Sequence, residues 1–335
     1  TLRLRRRRTF GRTLLLRRTL PPRIMARRLP YLCSRVLAVL HFAAISVCVC
    51  ALCGCATAEK APKRSNADSY TFAQKKLLEI AKEQNRFFEK LGNVSHLSTV
   101  VNSDLISEKK RLDSLWSAYF AGEERDAESY AIYGKFLRRT SDPTTAYRAF
   151  LKADSLDPTL ASVKHQLAVY ESENGQFKEA YGHFNAALAL SPDNPTYLSQ
   201  TAKFLMVARS ELSESGDFDV AALDARMLEC YRKWAELSPA NSPARWEYAK
   251  AFYSVEKPDW NLALEVWRGV LADCTLSLER QTATANIARV LIELRRDAEA
   301  RALLEKVDNP FLADDKAKLL GVIDADAKQQ TDPEK

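Results

Sequence analysis

From Ala127 to Asn194 the apolar residues recur every three or four positions, the spacing that gathers them on one face of an α-helix. The pattern is written twice. Laying residues 127–160 over 161–194 superposes Ala146 on Ala180, Phe150 on Phe184, Ala153 on Ala187 and Pro158 on Pro192, each offset by 34 positions. Gly134 and Ala168 share the eighth place of the two copies. Two antiparallel helices approach closely only where small side chains sit at their crossing, which assigns that place to Gly134 with Ala146 and to Ala168 with Ala180. Phe150 or Phe184 fills the space beside the crossing, and Ala153 or Ala187 continues the same face. Pro158 and Pro192 stop the second helix of each copy, and Asn174-Gly175 is a turn between the helices of the second copy. A single hairpin of this kind leaves an apolar face uncovered, so the pattern predicts stacked neighbours.

This unit resembles the tetratricopeptide repeat, whose 34 residues form a helix-turn-helix. The resemblance implies an all-α solenoid, an α-α superhelix of stacked hairpins, in which a protein partner lies along the first helices. With drift, five units are predicted over residues 127–310: 127–160, 161–194, 195–241, 242–280 and 281–310. The third is long, because Ser238-Pro239 follows Pro192 by 47 residues, and longer helices around Ser213 to Asp217 would absorb the excess. Trp246, Tyr248, Ala249 and Phe252 write the first helix of the fourth unit, and Ala263, Trp267 and Val270 its second. In the fifth, Ala288 and Ala300 repeat the spacing of Gly134 and Ala146, and Asn309-Pro310 ends the unit. Residues 70–126 read as an atypical hairpin capping the stack, and 311–335 as a capping helix and tail.

The N-terminal stretch has a different texture. Residues 1–24 are arginine-rich with no acid and no periodicity, and the expected translation start is Met25. From there a basic region, an apolar run from Val36 to Leu52 and a Cys53-Gly54-Cys55 step follow in the order of a secretory signal, which places a signal peptide at 25–54. Leu52-Cys53-Gly54-Cys55 resembles a bacterial lipobox with Cys55 as the acylated residue, and the polar residues 55–69 read as a tether. Two other outcomes stay open: cleavage after Ala56-Thr57-Ala58 with release of the protein, or an uncleaved anchor. The first reading places the protein in a bacterial cell envelope, lipid-anchored, with the outer membrane facing the periplasm favoured because Ala56 stands where Asp would redirect it. The alternative is a soluble periplasmic or secreted protein.

Charge looks at first like a signal for nucleic acid, since the formal net charge is +7. However, residues 1–54 hold twelve of the 50 basic residues and none of the 43 acids, so the remainder carries 38 bases against 43 acids. A body with that balance does not carry a nucleic-acid surface. Ten glycines form no nucleotide cradle, the Cys50-to-Cys53 spacing lies in apolar sequence, and four histidines support neither a triad nor a metal site. No cofactor, metal or catalytic residue is expected. Cys230 and Cys274 read as free buried thiols.

One row stands out. The ninth place of the first helices reads Lys135, Val169, Lys203, Lys250 and Arg289, four cations in a body of net negative charge, and the fifth place adds His165 and Trp246. If these face a partner, they would seat an acidic or C-terminal carboxylate segment; otherwise they are a solvated helix face. The expected function is a non-enzymatic protein-protein interaction scaffold, membrane-anchored, that assists assembly or organisation of an envelope complex. A soluble exported adaptor or regulator of an envelope enzyme is the alternative.

Overall fold

The computed structural model describes residues 70–93, 103–122, 125–141, 143–240 and 242–331. The expected signal segment, Cys55 and the tether lie outside them. Among the described residues the regular structure is entirely helical, and the order is α1 (Phe72–Asn93), α2 (Ser103–Phe120), α3 (Ala127–Thr140), α4 (Pro143–Leu156), α5 (Ala161–Glu173) and α6 (Phe177–Leu190). It continues with α7 (Pro195–Glu214), α8 (Val220–Glu236), α9 (Pro243–Ala251), α10 (Trp260–Asp273), α11 (Ser277–Glu293), α12 (Asp297–Glu305), a short 3-10 turn (Pro310–Leu312) and α13 (Ala313–Thr331).

Local chemistry starts five of these helices. The Asp126 side chain accepts from the Ser129 N–H, Asn194 from Thr196 and Tyr197, Asp219 from Ala222, Ser242 from Ala244, and Asp259 from Asn261 and Leu262. Each satisfies an N–H that the first turn would leave without a partner. Pro195 and Pro243 follow their caps directly, where proline's fixed φ helps and its missing N–H costs nothing. Gly175, at φ +75°, makes the α5–α6 turn.

Successive helices pair as hairpins, α3 with α4, α5 with α6 and α7 with α8, and each hairpin packs on the next through its second helix. The crossing differs in one detail from the expectation for Gly134. Its open side is filled by the Phe150 ring, whose nearest carbon would lie 2.6 Å from an added Cβ, so the glycine makes room for the phenylalanine more than for Ala146. Ala168, Ala180 and Ala187 are all fully buried, with Phe184 at 2% exposure beside them. The repeat pattern thus describes the inside of a solenoid of helical hairpins.

The third hairpin is long because its helices are. α7 has 20 residues against 13 in α5, and α8 has 17 against 14 in α6, with Gly216 at φ +78° in the turn. The fourth unit departs from expectation in the other direction: its first helix, α9, ends at Ala251, so Phe252 lies beyond it and residues 252–259 cross irregularly to α10. The two departures are one structure. Arg209, on the extra length of α7, pairs with Asp224 of α8 at 2.8 Å and donates to the Met206 and Ser254 carbonyls, while Asp224 accepts from the Glu256 N–H at 2.9 Å. The buried pair supplies partners to the Ser254 carbonyl and the Glu256 N–H in the non-helical backbone of 252–259. The first helix of the fifth unit, α11, begins at Ser277, inside the span expected for the fourth, because nothing after Cys274 breaks a helix.

Candidate functional site

The ninth-place residues sit on α3, α5, α7, α9 and α11, the first helices of the five hairpins, and the structure divides them into two polar groups. In the first group Lys135 is exposed on α3, one turn before Arg138. The Arg138 guanidinium crosses to α5, donating to Gln166 Oε1 at 2.6 Å and to Glu173 Oε1 at 3.4 Å. Beside it His165 stacks on Tyr197 with ring centroids 4.7 Å apart and shares a 2.8 Å hydrogen bond with Gln200 Oε1 on α7. A carboxamide oxygen only accepts, so Nε2 carries the proton. Burial pushes the His165 pKa down to about 4, with Arg138 and Lys135 pushing the same way, so the ring is neutral at physiological pH.

In the second group the cations rest on aromatic rings or beside acids. The Lys203 ammonium lies 5.4 Å from the Trp234 ring centre, and Arg289 lies 5.3 Å from that of Tyr253, the geometry of cation–π attraction. Lys250 pairs with Glu247 at 3.1 Å. Trp246 meets the buried Trp267 edge-on at 5.6 Å, and Tyr253 Oη donates to Asn286 of α11.

The expected row therefore needs correcting in its chemistry. It is not a ladder of free cations: Lys203 and Arg289 cover rings, Lys250 has a carboxylate neighbour, and His165, at 5% exposure, is part of the wall and not a contact surface. The physical reason is that a long cationic side chain lays its stem and head along apolar surface where a ring is within reach. His165 and His183, on the two helices of one hairpin, engage different partners. His183 Nδ1 meets Glu171 Oε2 at 2.7 Å.

That last contact belongs to a group that the sequence pattern did not single out. Glu171, 2% exposed, accepts from Tyr147 Oη at 3.0 Å and from His183, and so joins α4, α5 and α6. Burial and the bond to Glu171 push the Tyr147 pKa up to about 12. Glu171 falls at the eleventh place of its unit, where Leu137 stands in the first; a carboxylate at an otherwise apolar place was the only signal available.

Among the described residues no group of three or more His, Cys, Asp or Glu could hold a metal ion, and no helix is long and apolar enough to cross a membrane. Cys230 and Cys274 are buried free thiols, and burial raises the Cys230 pKa to about 11, far from a reactive thiolate.

No family model matches the sequence, and no curated protein matches it. Solved structures do resemble it. YrrB, described as a TPR protein with an unusual peptide-binding site, is 16% identical, and the match covers 64% of this chain and 97% of that one with a TM-score of 0.45. PilF of Pseudomonas aeruginosa is 13% identical over 71% of this chain and 94% of its own, at a TM-score of 0.44. A tetratricopeptide repeat protein from Parabacteroides merdae is 15% identical over 77% and 89%, at 0.42. The helices and their pairing make the chain an all-α solenoid of stacked hairpins.

Proposed function

We propose that this protein is a non-enzymatic scaffold that holds a segment of another protein along its first helices. The observation that carries the reading is the first polar group on that face. Lys135 brings positive charge to a surface whose arginine, amides and neutral histidine are locked by hydrogen bonds between three successive hairpins, with Arg138 paired to Glu173. A pre-organised wall costs little ordering on binding, and its charge favours an acidic or C-terminal carboxylate segment. The lipobox-like step at Cys55 supports anchoring to a bacterial membrane, with the body assisting assembly of an envelope complex.

The test is crosslinked capture from intact cells, comparing the natural protein with Lys135→Glu, Lys250→Glu. Both residues are exposed, whereas reversal at Lys203 would also remove its contact with Trp234. Loss of a partner protein in the variant, with unchanged melting, is the expected result; equal recovery by both would leave the cations as solvent surface. Mass spectrometry of the mature N-terminus tests the anchor. A lipid-modified peptide starting at Cys55 is expected, and an unmodified one starting at Glu59 would replace the anchored scaffold with a soluble adaptor.

A further inference from the structure

Between α4 and the end of α5 lies a solvent-open pocket of about 470 Å³ that shares no residue with the ninth-place row. Its apolar wall is a pair of tyrosines, Tyr147 and Tyr170, stacked with centroids 4.1 Å apart and planes 14° from parallel. The pair is fixed at both ends. Tyr147 Oη is held by the buried Glu171, and Tyr170 Oη lies 3.3 Å from Thr144 Oγ1. Leu151, 42% exposed, extends the apolar wall, and the rest of the lining is polar: Thr144, Asn174, Gln176 and the exposed Arg148.

We propose that this pocket binds a saccharide bearing a carboxylate. The volume falls within the range of about 300–1,000 Å³ common to small-molecule sites. Hydroxyls and carboxamides each donate and accept, which matches the vicinal hydroxyls of a sugar, whose groups do the same. The rigid tyrosine pair offers a flat apolar surface for the C–H face of a pyranose without ordering on binding. Arg148 is the one cation in the lining, and a guanidinium pairs with a carboxylate through two parallel hydrogen bonds. A nucleotide would need several phosphate donors, and the single guanidinium of this lining does not supply them.

The experiment uses the full chain with three probes: a galacturonic-acid disaccharide, the matching neutral galactose disaccharide and a proline-rich peptide. Saturation-transfer NMR and calorimetry should show the acidic sugar binding with a Kd of about 1 mM or tighter. Arg148→Ala should weaken the acidic sugar about tenfold and leave the neutral one unchanged. Gln176→Ala should weaken both, and Tyr170→Ala should abolish both. Because Arg148 and Gln176 are exposed, their variants keep the test sound if Tyr170→Ala fails to fold. The proposal is overturned by no transfer from either sugar at about 10 mM, by sugar binding that survives Arg148→Ala and Gln176→Ala unchanged, or by the peptide binding in preference to both sugars.

Discussion

Replacing Gly134 with alanine sets two effects of known size against each other. In a helix interior alanine is favoured over glycine by about 1 kcal/mol, because the unfolded chain loses less freedom. Against this, the new methyl would lie 2.6, 2.8 and 2.9 Å from three carbons of the Phe150 ring, where carbon atoms rest comfortably at about 3.5–4.0 Å. Phe150 is 2% exposed among Ala146, Ala149 and Ala153, so the ring has no open space to enter. Overpacking of this kind costs about 1–3 kcal/mol. The overpacking should win, leaving a net loss of about 1 kcal/mol and a fall in Tm of about 3 °C. Thermal unfolding followed by far-ultraviolet circular dichroism measures this directly. The decisive comparison is the same substitution made in a Phe150→Leu background, where the clash is gone and alanine should be neutral or stabilising, a coupling of about 1 kcal/mol or more. If Gly134→Ala raises the midpoint in the natural protein, or the two substitutions are additive, the ring does not dictate the glycine.

Three further outcomes follow from the packing. His165 has a folded-state pKa near 4 against an ordinary 6.5, so below pH 6.5 the unfolded chain takes up a proton that the folded chain refuses. Stability should fall by about 3 kcal/mol between pH 6.5 and 4, and a His165→Gln variant should lose that slope in denaturant titrations across the range. Asp224→Ala leaves Arg209 buried without its carboxylate and should cost about 3–5 kcal/mol, with faster hydrogen exchange at 252–259 than elsewhere in the fourth unit; uniform exchange across that unit would refute the bracing role. Arg295 sits at φ +61° in the α11–α12 turn, where the α5–α6 turn has Gly175. Arg295→Gly should relieve strain of about 1 kcal/mol, partly offset by the lost pair with Asp326 on α13, and a lowered midpoint would show that the pair outweighs the strain.

How far the chain could be read depended on whether the information was local. The second unit was legible because its helices stop at a glycine turn and a proline, and its crossing residues repeat those of the first. The fourth was less so. Nothing near Phe252 says that a helix must end there, since the hydrogen bonds that stabilise 252–259 come from Arg209 and Asp224 in the preceding hairpin. The candidate site shows the same division. Lys135, Lys203, Lys250 and Arg289 were found by their place in the repeat, but a place in a helix does not say what lies beside it. Trp234 and Tyr253 took two of the four cations.

By itself, then, the sequence determined the all-α class, the hairpin unit and the small residues at its crossings, because apolar spacing of three and four residues and the turn and cap residues act within a few positions of each other. Only the tertiary structure decided which polar groups meet. Tyr147 and His183 reach Glu171 from 24 and 12 residues away, and Arg209 reaches Ser254 across 45. Those encounters depend on how hairpins cross and stack. No periodicity records them, because each joins one particular pair of groups once, whereas the apolar pattern is repeated in every unit that must bury the same face.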